Sequence, residues 1–569
     1  MSENILKIFM EKGFLLDKEM LDFLNELGDK KIADELLNKI AVVSKKKVIT
    51  KSLISENLEK IKPILFDLDN EKKKLVDKYF VNLSISLEIK KETRIEDRED
   101  FDNLIKGNEN ITLDKENLVL DDRIKLKEKI KEKPLIKILS SPIITSQKIE
   151  VGDFVKYFRN RYILMRKILQ ERPELINLVS IDKITGNREF SIIGMVRKKQ
   201  TTKNKNIILE VEDLTGNARL LMNQNKEEVY EKCKEILLDD IIGFKCSGSK
   251  DFLFVNDLFY PDCYLKDRKR TNEEIYALFI SDIHVGSRNF LEKNFERFIG
   301  WLNGSNANEK QKEYLNKIKY MFVVGDTIDG IGVYPGQEKD IIIKDIRKQY
   351  DKLSEFYKKI PKRISIIQCA GQHDAVRVAE PQPPVGEDFG KSLHEIENLY
   401  LVSNPAFIEI EAGQCISGNN KISEGIKVLM YHGASMHNII NEIEELRLTN
   451  AHSTPVKVIK HILLRRHLAP SHGLTNYIPS KEDPMLIKEI PDIVTTGDLH
   501  RTDIGDYNKV LIISNSCWQA MTAFEEKMGN VPDPCKVPIL NLKTGEIRIL
   551  DFSEENVEEV FGVVEEFER

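Results

Sequence analysis

The stretch "LFISDIHVGS", residues 278–287, is an apolar run that ends in Asp282 and His284. An extended chain leaving a strand turns residues two apart toward the same side, so this carboxylate and imidazole can act together. Four further stretches repeat the design. "MFVVGDTIDG" (321–330) ends in Gly325 and Asp326, "CAGQHDAVR" (369–377) carries Gly371, Gln372, His373 and Asp374, "VLMYHGAS" (428–435) gives His432, and "DIVTTGDLHR" (492–501) gives Asp498 and His500. Apolar strands that end in polar motifs, alternating with helical segments such as Glu292–Leu302 and Ile341–Lys359, predict an α/β domain from Ile275 onward. Active sites of such domains collect at strand ends.

Each motif alone has an ordinary explanation, since a strand-end Asp commonly forms a turn and a lone His commonly packs. Five together, in one domain, match what two divalent cations about 3.5–4 Å apart require: mixed imidazole and carboxylate ligands, one carboxylate able to bridge. All ten histidines lie at or beyond position 284, so the candidate chemistry is confined to the second half of the chain.

Working outward, residues 269–569 form this α/β domain and residues 141–268 a smaller β domain with a leading helix, "VGDFVKYFRNRYILMRKILQERPEL". Its strand-like segments run three strands, a helix, then two strands, with Thr215, Gly216 and Asn217 at a hairpin turn. That order predicts an OB-fold barrel, a binder of single-stranded nucleic acid or a docking surface. Residues 86–140 are charge-rich and poor in large apolar side chains, which reads as a flexible linker or an interaction tail. Helical apolar spacing over residues 1–85 predicts a small helical domain. "HILLRRHLAPSHGLTNY" (461–477) reads as a DNA backbone contact or as a solvated basic helix.

With 41% hydrophobic and 32% charged residues, and no apolar run near the roughly 20 residues needed to span a bilayer, the expectation is a cytoplasmic protein without a membrane partner. The seven scattered cysteines signal neither a disulfide framework nor a thiolate zinc site. A net charge of −6 argues against coating nucleic acid by bulk electrostatics.

The order D-x-H, G-D, G-(N)-H-D, H, G-(H)-x-H resembles the calcineurin-like metallophosphoesterase superfamily, with its α/β sandwich. More narrowly, "FVKYFRNRY", "SDIHVGS", "GDTIDG", "HDAVR", "QPPVGEDF", "LLRRHLAPSHG" and "SCWQAMT" resemble the small subunits of archaeal family D DNA polymerases. The fold implied is α+β and multidomain: an N-terminal helical domain, an OB-fold β-barrel and an α/β-sandwich phosphoesterase domain. The resemblance implies one metal held by Asp282, His284, Asp326 and His500, with Asp326 bridging to a second held by Gln372, His432 and Asp498. It makes His373 the catalytic residue beside the substrate phosphate, with Asp374 as its orienting carboxylate. Asp329 and Arg377, next to these motifs, are expected to give structural support.

Two positions depart from the family pattern. Gln372 stands for asparagine and Asp498 for histidine, both at the second metal, and both still offer oxygen. The site expected is therefore a working one biased toward Mn2+, or else Mg2+. The implied function is a metal-dependent 3′-to-5′ exonuclease that proofreads the primer 3′ end within a DNA-directed DNA polymerase. Expected partners are the large catalytic subunit, DNA, and a sliding clamp or primase. A catalytically weak or inactive scaffold that links the large subunit to replication factors is the alternative. A phosphoprotein or small-molecule phosphatase is a third reading, which leaves the barrel unexplained.

Overall fold

The structure is a computed structural model, and its described residues are 15–16, 48–49 and 135–569 apart from 145–147, 186–188, 250–251, 418–420, 529, 562–564 and 568–569. The chain divides into two compact units, Met1–Asp122 and Arg123–Arg569. In the first, Leu15–Leu16 pairs in parallel with Val48–Ile49. The helical domain expected over 1–85 otherwise lies outside the described residues, as does the expected linker up to residue 134. Everything below concerns the second unit.

The end of the expected linker is a strand. Ile136–Ser140 (β1) pairs antiparallel with Ala406–Ile410, so backbone pairing with a distant strand overrides the charged surroundings that made the stretch read as linker. Helix α1, Val151–Gln170, follows. Asp153 accepts a hydrogen bond from the Glu150 N–H at its start (3.1 Å). The helix stops before Pro173, whose ring disfavours helical backbone in the residue ahead of it.

Five strands close into a barrel: β2 (Phe190–Thr201), β3 (Ile207–Glu212), β4 (Asn217–Met222), β5 (Ile241–Ser249) and β6 (Phe252–Phe259), in the order β2-β3-β4-β6-β5. The expected helix, α2 (Glu227–Lys234), lies between β4 and β5. Alternate residues of β3, Ile207, Leu209 and Val211, point into the barrel core with Leu220, Ile242 and Phe244. Its β3–β4 turn is organised by Asp213, whose carboxylate accepts from Thr215 N, Thr215 Oγ1 and Gly216 N at 2.6–2.9 Å.

The second domain packs two seven-stranded sheets face to face. One runs β10 (Leu399–Val402), β9 (Ser365–Cys369), β8 (Ile318–Val324), β7 (Tyr276–Ile280), then three antiparallel strands beginning at Lys536–Asn541. The other contains β11 (Ala406–Ile410), β12 (Ile426–Met430) and β13 (Ile493–Thr496), with β1 at its edge. Strands β7 to β10 are parallel, as are β12 and β13. Of these, β7, β9 and β13 are buried along their whole length, and β7 reads as an unbroken apolar run. Ala277 and Phe279 face the core between the sheets, whereas Leu278 and Ile280 face helix α3 (Glu292–Leu302) and its neighbours. Phe279 and Phe322, register partners on β7 and β8, stack with ring centres 5.2 Å apart. Truncating either fully buried ring to alanine costs about 3–5 kcal/mol. Helix α4 spans Ile346–Tyr357, shorter than the expected Ile341–Lys359, because Asp345 caps it by accepting from Arg347 N (2.9 Å).

Barrel and sandwich are locked by buried ion pairs, and here both readings of the 461–477 stretch are corrected. Arg465 is 3% exposed and its Nε donates to Asp240 of the barrel side at 3.0 and 3.2 Å. Arg466, also buried, donates to the carbonyls of Ile487 and Lys488. Arg161 of α1 donates to Asp483 at 2.6 Å, where Tyr157 and His467 converge at 2.7 and 2.8 Å. Arg465 and Arg161 hold domains together, Arg466 braces the sandwich, and all three are turned away from solvent. No helix among the described residues is long and apolar enough to cross a membrane.

Candidate metal centre

Five strands of the two sheets end at one place, and each delivers its motif there. Strand β7 runs into Asp282 and His284, β8 into Asp326, β9 into Gln372 and His373, β12 into His432, and β13 into Asp498 and His500. Five of these residues, Asp282, His284, Asp326, Asp498 and His500, have left-handed backbone, with φ between 48° and 67°. Non-glycine residues held this way cost roughly 1–3 kcal/mol each and persist where the surroundings over-determine them, often at functional sites. Close approach also explains a glycine: a Cβ on Gly371 would fall on the Asp326 carboxylate.

Three ligand-like groups result, each with its donor atoms within 4.8 Å of one another; His284, Asp329 and His373 form one, and the two that hold the expected ligands share a carboxylate. One is Asp282, His284 and His500; the other is Asp282, Asp326 and His432. The carboxylate common to both is Asp282, whereas the resemblance puts bridging on Asp326. Within the first, His284 Nε2 and His500 Nε2 lie 3.2 Å apart, and His500 Nε2 is 3.4 Å from Asp282 Oδ1. Within the second, His432 Nε2 is 3.1 Å from Asp326 Oδ2 and 3.9 Å from Asp282 Oδ1. Asp498 Oδ1 is 3.9 Å from His432 Nε2 and accepts from Gln372 Nε2 at 2.9 Å, so both atypical residues reach the second group.

The donor atoms fit cations. Gln372 Oε1 and Asp498 Oδ2 are buried without a hydrogen-bond partner, and His432 Nε2 faces only the carboxylates of Asp326, Asp282 and Asp498. A buried polar oxygen left this way costs about 1–3 kcal/mol, and both of these lie at the second group. Charge is distributed accordingly. Burial works against charge on His432, but Asp326 and Asp282 hold its pKa well above the usual imidazole value. Burial likewise opposes charge on Asp326, yet His432 and His373 press its carboxyl far below the usual range. His500 is raised against burial by Cys517 and Asp282. Protons on these imidazoles occupy the electrostatic role that a bound cation would take over.

The other imidazole nitrogens are fixed from behind. His432 Nδ1 is 2.7 Å from the Val324 carbonyl, and His500 Nδ1 is 2.6 Å from Glu525 Oε1. Such outer partners fix the ring and its tautomer. Glu525 itself is held down at about 2 against the cost of burial, by its hydrogen bond and charge contact with His500. Sequence reasoning missed it. The signal was Thr522-x-x-Glu525, where Thr522 N and Oγ1 donate to Glu525 Oε2, a helix-start pattern that does not by itself announce an imidazole partner.

His373 stands beside the first group, its ring centre 4.7 Å from that of His284. Its orienting contact differs from the expected one. Asp374 spends its carboxylate on Thr327 Oγ1 (2.6 Å), Gly371 N (2.9 Å) and Tyr350 OH (3.1 Å), bracing the β8 and β9 loops. His373 Nδ1 instead lies 2.8 Å from the Asp329 carbonyl, while Asp329 Oδ1 is 3.3 Å from His284 Nδ1. Asp329 thus serves both imidazoles, more than the support expected of it. Arg377 is structural: it donates to the carbonyls of Pro381, Ala379 and Ile144.

Among known proteins, the DNA polymerase II small subunit of Methanothermobacter thermautotrophicus is 34% identical over 406 residues, covering 71% of this chain and 80% of that protein. The chain belongs to the DNA polymerase II small subunit family. The Methanocaldococcus jannaschii member is 37% identical over 402 residues, 70% of this chain and 65% of that one. The Pyrococcus abyssi member is 35% identical over 413 residues; the match spans 64% of its length, less than two thirds of that relative. Residues 277–503 also match the DNA polymerase alpha/epsilon B-subunit family, a span that runs from β7 past His500 and holds every ligand candidate.

Proposed function

We propose that this chain is the proofreading subunit of a two-subunit DNA polymerase, hydrolysing phosphodiesters at a DNA 3′ end with two divalent cations, Mn2+ or Mg2+. The observation that carries the reading is the convergence of Asp282, His284, Asp326, Gln372, His432, Asp498 and His500 at five strand ends, with buried oxygens of Gln372 and Asp498 that no protein group satisfies. Decay toward a pure scaffold would leave apolar or small residues at such positions. Names of relatives as small subunits support a large-subunit partner for this chain as well.

Cations held there would supply Lewis-acid stabilisation of the phosphoryl oxygens. The rest falls to the chain. His373 is tied at Nδ1 to a carbonyl, which fixes the proton on Nδ1 and leaves Nε2 as the atom that exchanges a proton with substrate. Protonated, Nε2 donates to the departing 3′ oxygen, a role worth about 10²–10⁴-fold in rate. The backbone N–H of His373 donates to Asp326 Oδ1 at 2.8 Å, so the proton donor and a ligand carboxylate are set by one peptide. A frayed, mispaired 3′ end reaches such a site more readily than a paired one.

The test is digestion of a 3′-mismatched primer–template in Mn2+, comparing wild type with His373→Ala and Asp326→Ala, with and without the large subunit. Shortening of the primer by wild type and its loss in both variants is the expected result. An intact primer under conditions where DNA binding is demonstrated would establish the scaffold reading instead.

A further inference from the structure

We propose that His437, backed by His452, positions Asp498 as an oxygen ligand of the second cation; the inference rests on the binuclear reading above. Every other charged or imidazole ligand candidate has a second contact that holds it. His432 has the Val324 carbonyl, His500 has Glu525, His284 faces Asp329, and Asp326 has the His373 N–H. Asp282 faces the Asp498 N–H at 3.2 Å. Asp498 is held on one oxygen only. Its Oδ1 faces Gln372 and His432, while Oδ2 is buried without a hydrogen-bond partner.

The nitrogen facing that oxygen is His437 Nε2, 3.6 Å away, just longer than a hydrogen bond. His437 sits in the first turn of helix α5, Met436–Glu442, which follows closely on the His432 motif. The ring is aimed by a second imidazole: His452 Nε2 lies 3.2 Å from His437 Nδ1, with ring centres 5.2 Å apart. If His452 donates in that contact, the His437 proton sits on Nε2 and points at Asp498 Oδ2. The chain Asp498–His437–His452 then matches the carboxylate–imidazole pairing on the opposite side, where Glu525 supports His500, with the roles of ligand and support exchanged. His437 is 38% exposed at the side chain, so it stands at the mouth of the site, on the side of the second group.

The experiment is Mn2+ titration of the full chain by calorimetry, with electron paramagnetic resonance to detect spin coupling between two bound ions. Wild type is expected to bind two Mn2+ and show the coupled signal. His437→Ala is expected to weaken only the second ion, by about 10–100-fold, with the coupled signal lost at subsaturating metal. His437→Gln, whose amide nitrogen takes the place of Nε2, restores binding, whereas His437→Leu does not; His452→Ala gives an intermediate loss. Two ions bound with wild-type affinities in His437→Ala would overturn the proposal and leave the binuclear reading intact. A single ion bound by wild type at saturating Mn2+ would overturn both.

Discussion

His284 and His500 aim their Nε2 atoms at one another across 3.2 Å, although they lie 216 residues apart in sequence. Two imidazole lone pairs at that distance repel unless a proton or a cation lies between them. Mn2+ is therefore expected to stabilise the protein by about 3 kcal/mol at 100 times its Kd, raising Tm by several degrees in differential scanning fluorimetry against EDTA. Because His432 and His500 bind protons tightly when the site is metal-free, cation binding must displace them, and affinity should rise with pH. Titrations at pH 6 and pH 8 that give the same Kd would contradict the assignment.

Removing the Glu525 carboxylate should act through His500. Glu525→Gln is expected to weaken the first cation about 10–100-fold while leaving the fold intact, as read by calorimetry and circular dichroism. A mutant that instead unfolds would mark Glu525 as a helix cap whose main work is local.

The pair His373 and Asp374 should separate cleanly. His373→Ala is expected to lower hydrolysis about 10²–10⁴-fold with little change in Tm. Asp374→Ala removes the acceptor for Thr327, Gly371 and Tyr350 and is expected to cost about 2–4 kcal/mol of stability. Thermal melts alongside single-turnover rates distinguish the two. Equal loss of stability in both would place His373 among the bracing residues.

Acid should loosen the contact between α1 and the sandwich. Arg161 and His467 hold the Asp483 carboxyl below its usual 3.8 despite burial, so its contribution to stability is present above about pH 4 and is lost below it. His467 is held below its usual 6.5 by burial, and then by Arg161. Its pKa therefore lies lower in the fold than in the unfolded chain, and stability erodes as pH falls through 6.5. Both shifts act in the same direction. Arg161→Met leaves Asp483 buried without its cation and is expected to cost about 3–5 kcal/mol at pH 7. Urea melts at pH 7, pH 5 and pH 3 separate the two effects, and a wild-type midpoint unchanged between pH 7 and pH 5 would count against the His467 account.

Local pattern alone determined a good deal. A strand buried on both faces such as β7 shows as an apolar run, barrel strands β3 and β4 show as alternation, and each of the seven ligand candidates with His373 lies within a few residues of a strand end. A strand end is a local event, so those positions could be read one segment at a time. Pairing across long separations could not. Glu525 reached His500 and His437 reached Asp498 only once β12, β13 and the loops after them had packed. Asp374, adjacent to His373, turned away to Thr327 and Tyr350, and the Asp329 carbonyl took its place. Arg465 and Arg466 look like a basic surface in sequence, yet a barrel aspartate and two carbonyls had claimed them. Residue type decides which atoms can bind a cation or move a proton. Only the closed fold, by excluding water from those atoms, decides which partners they are left to find.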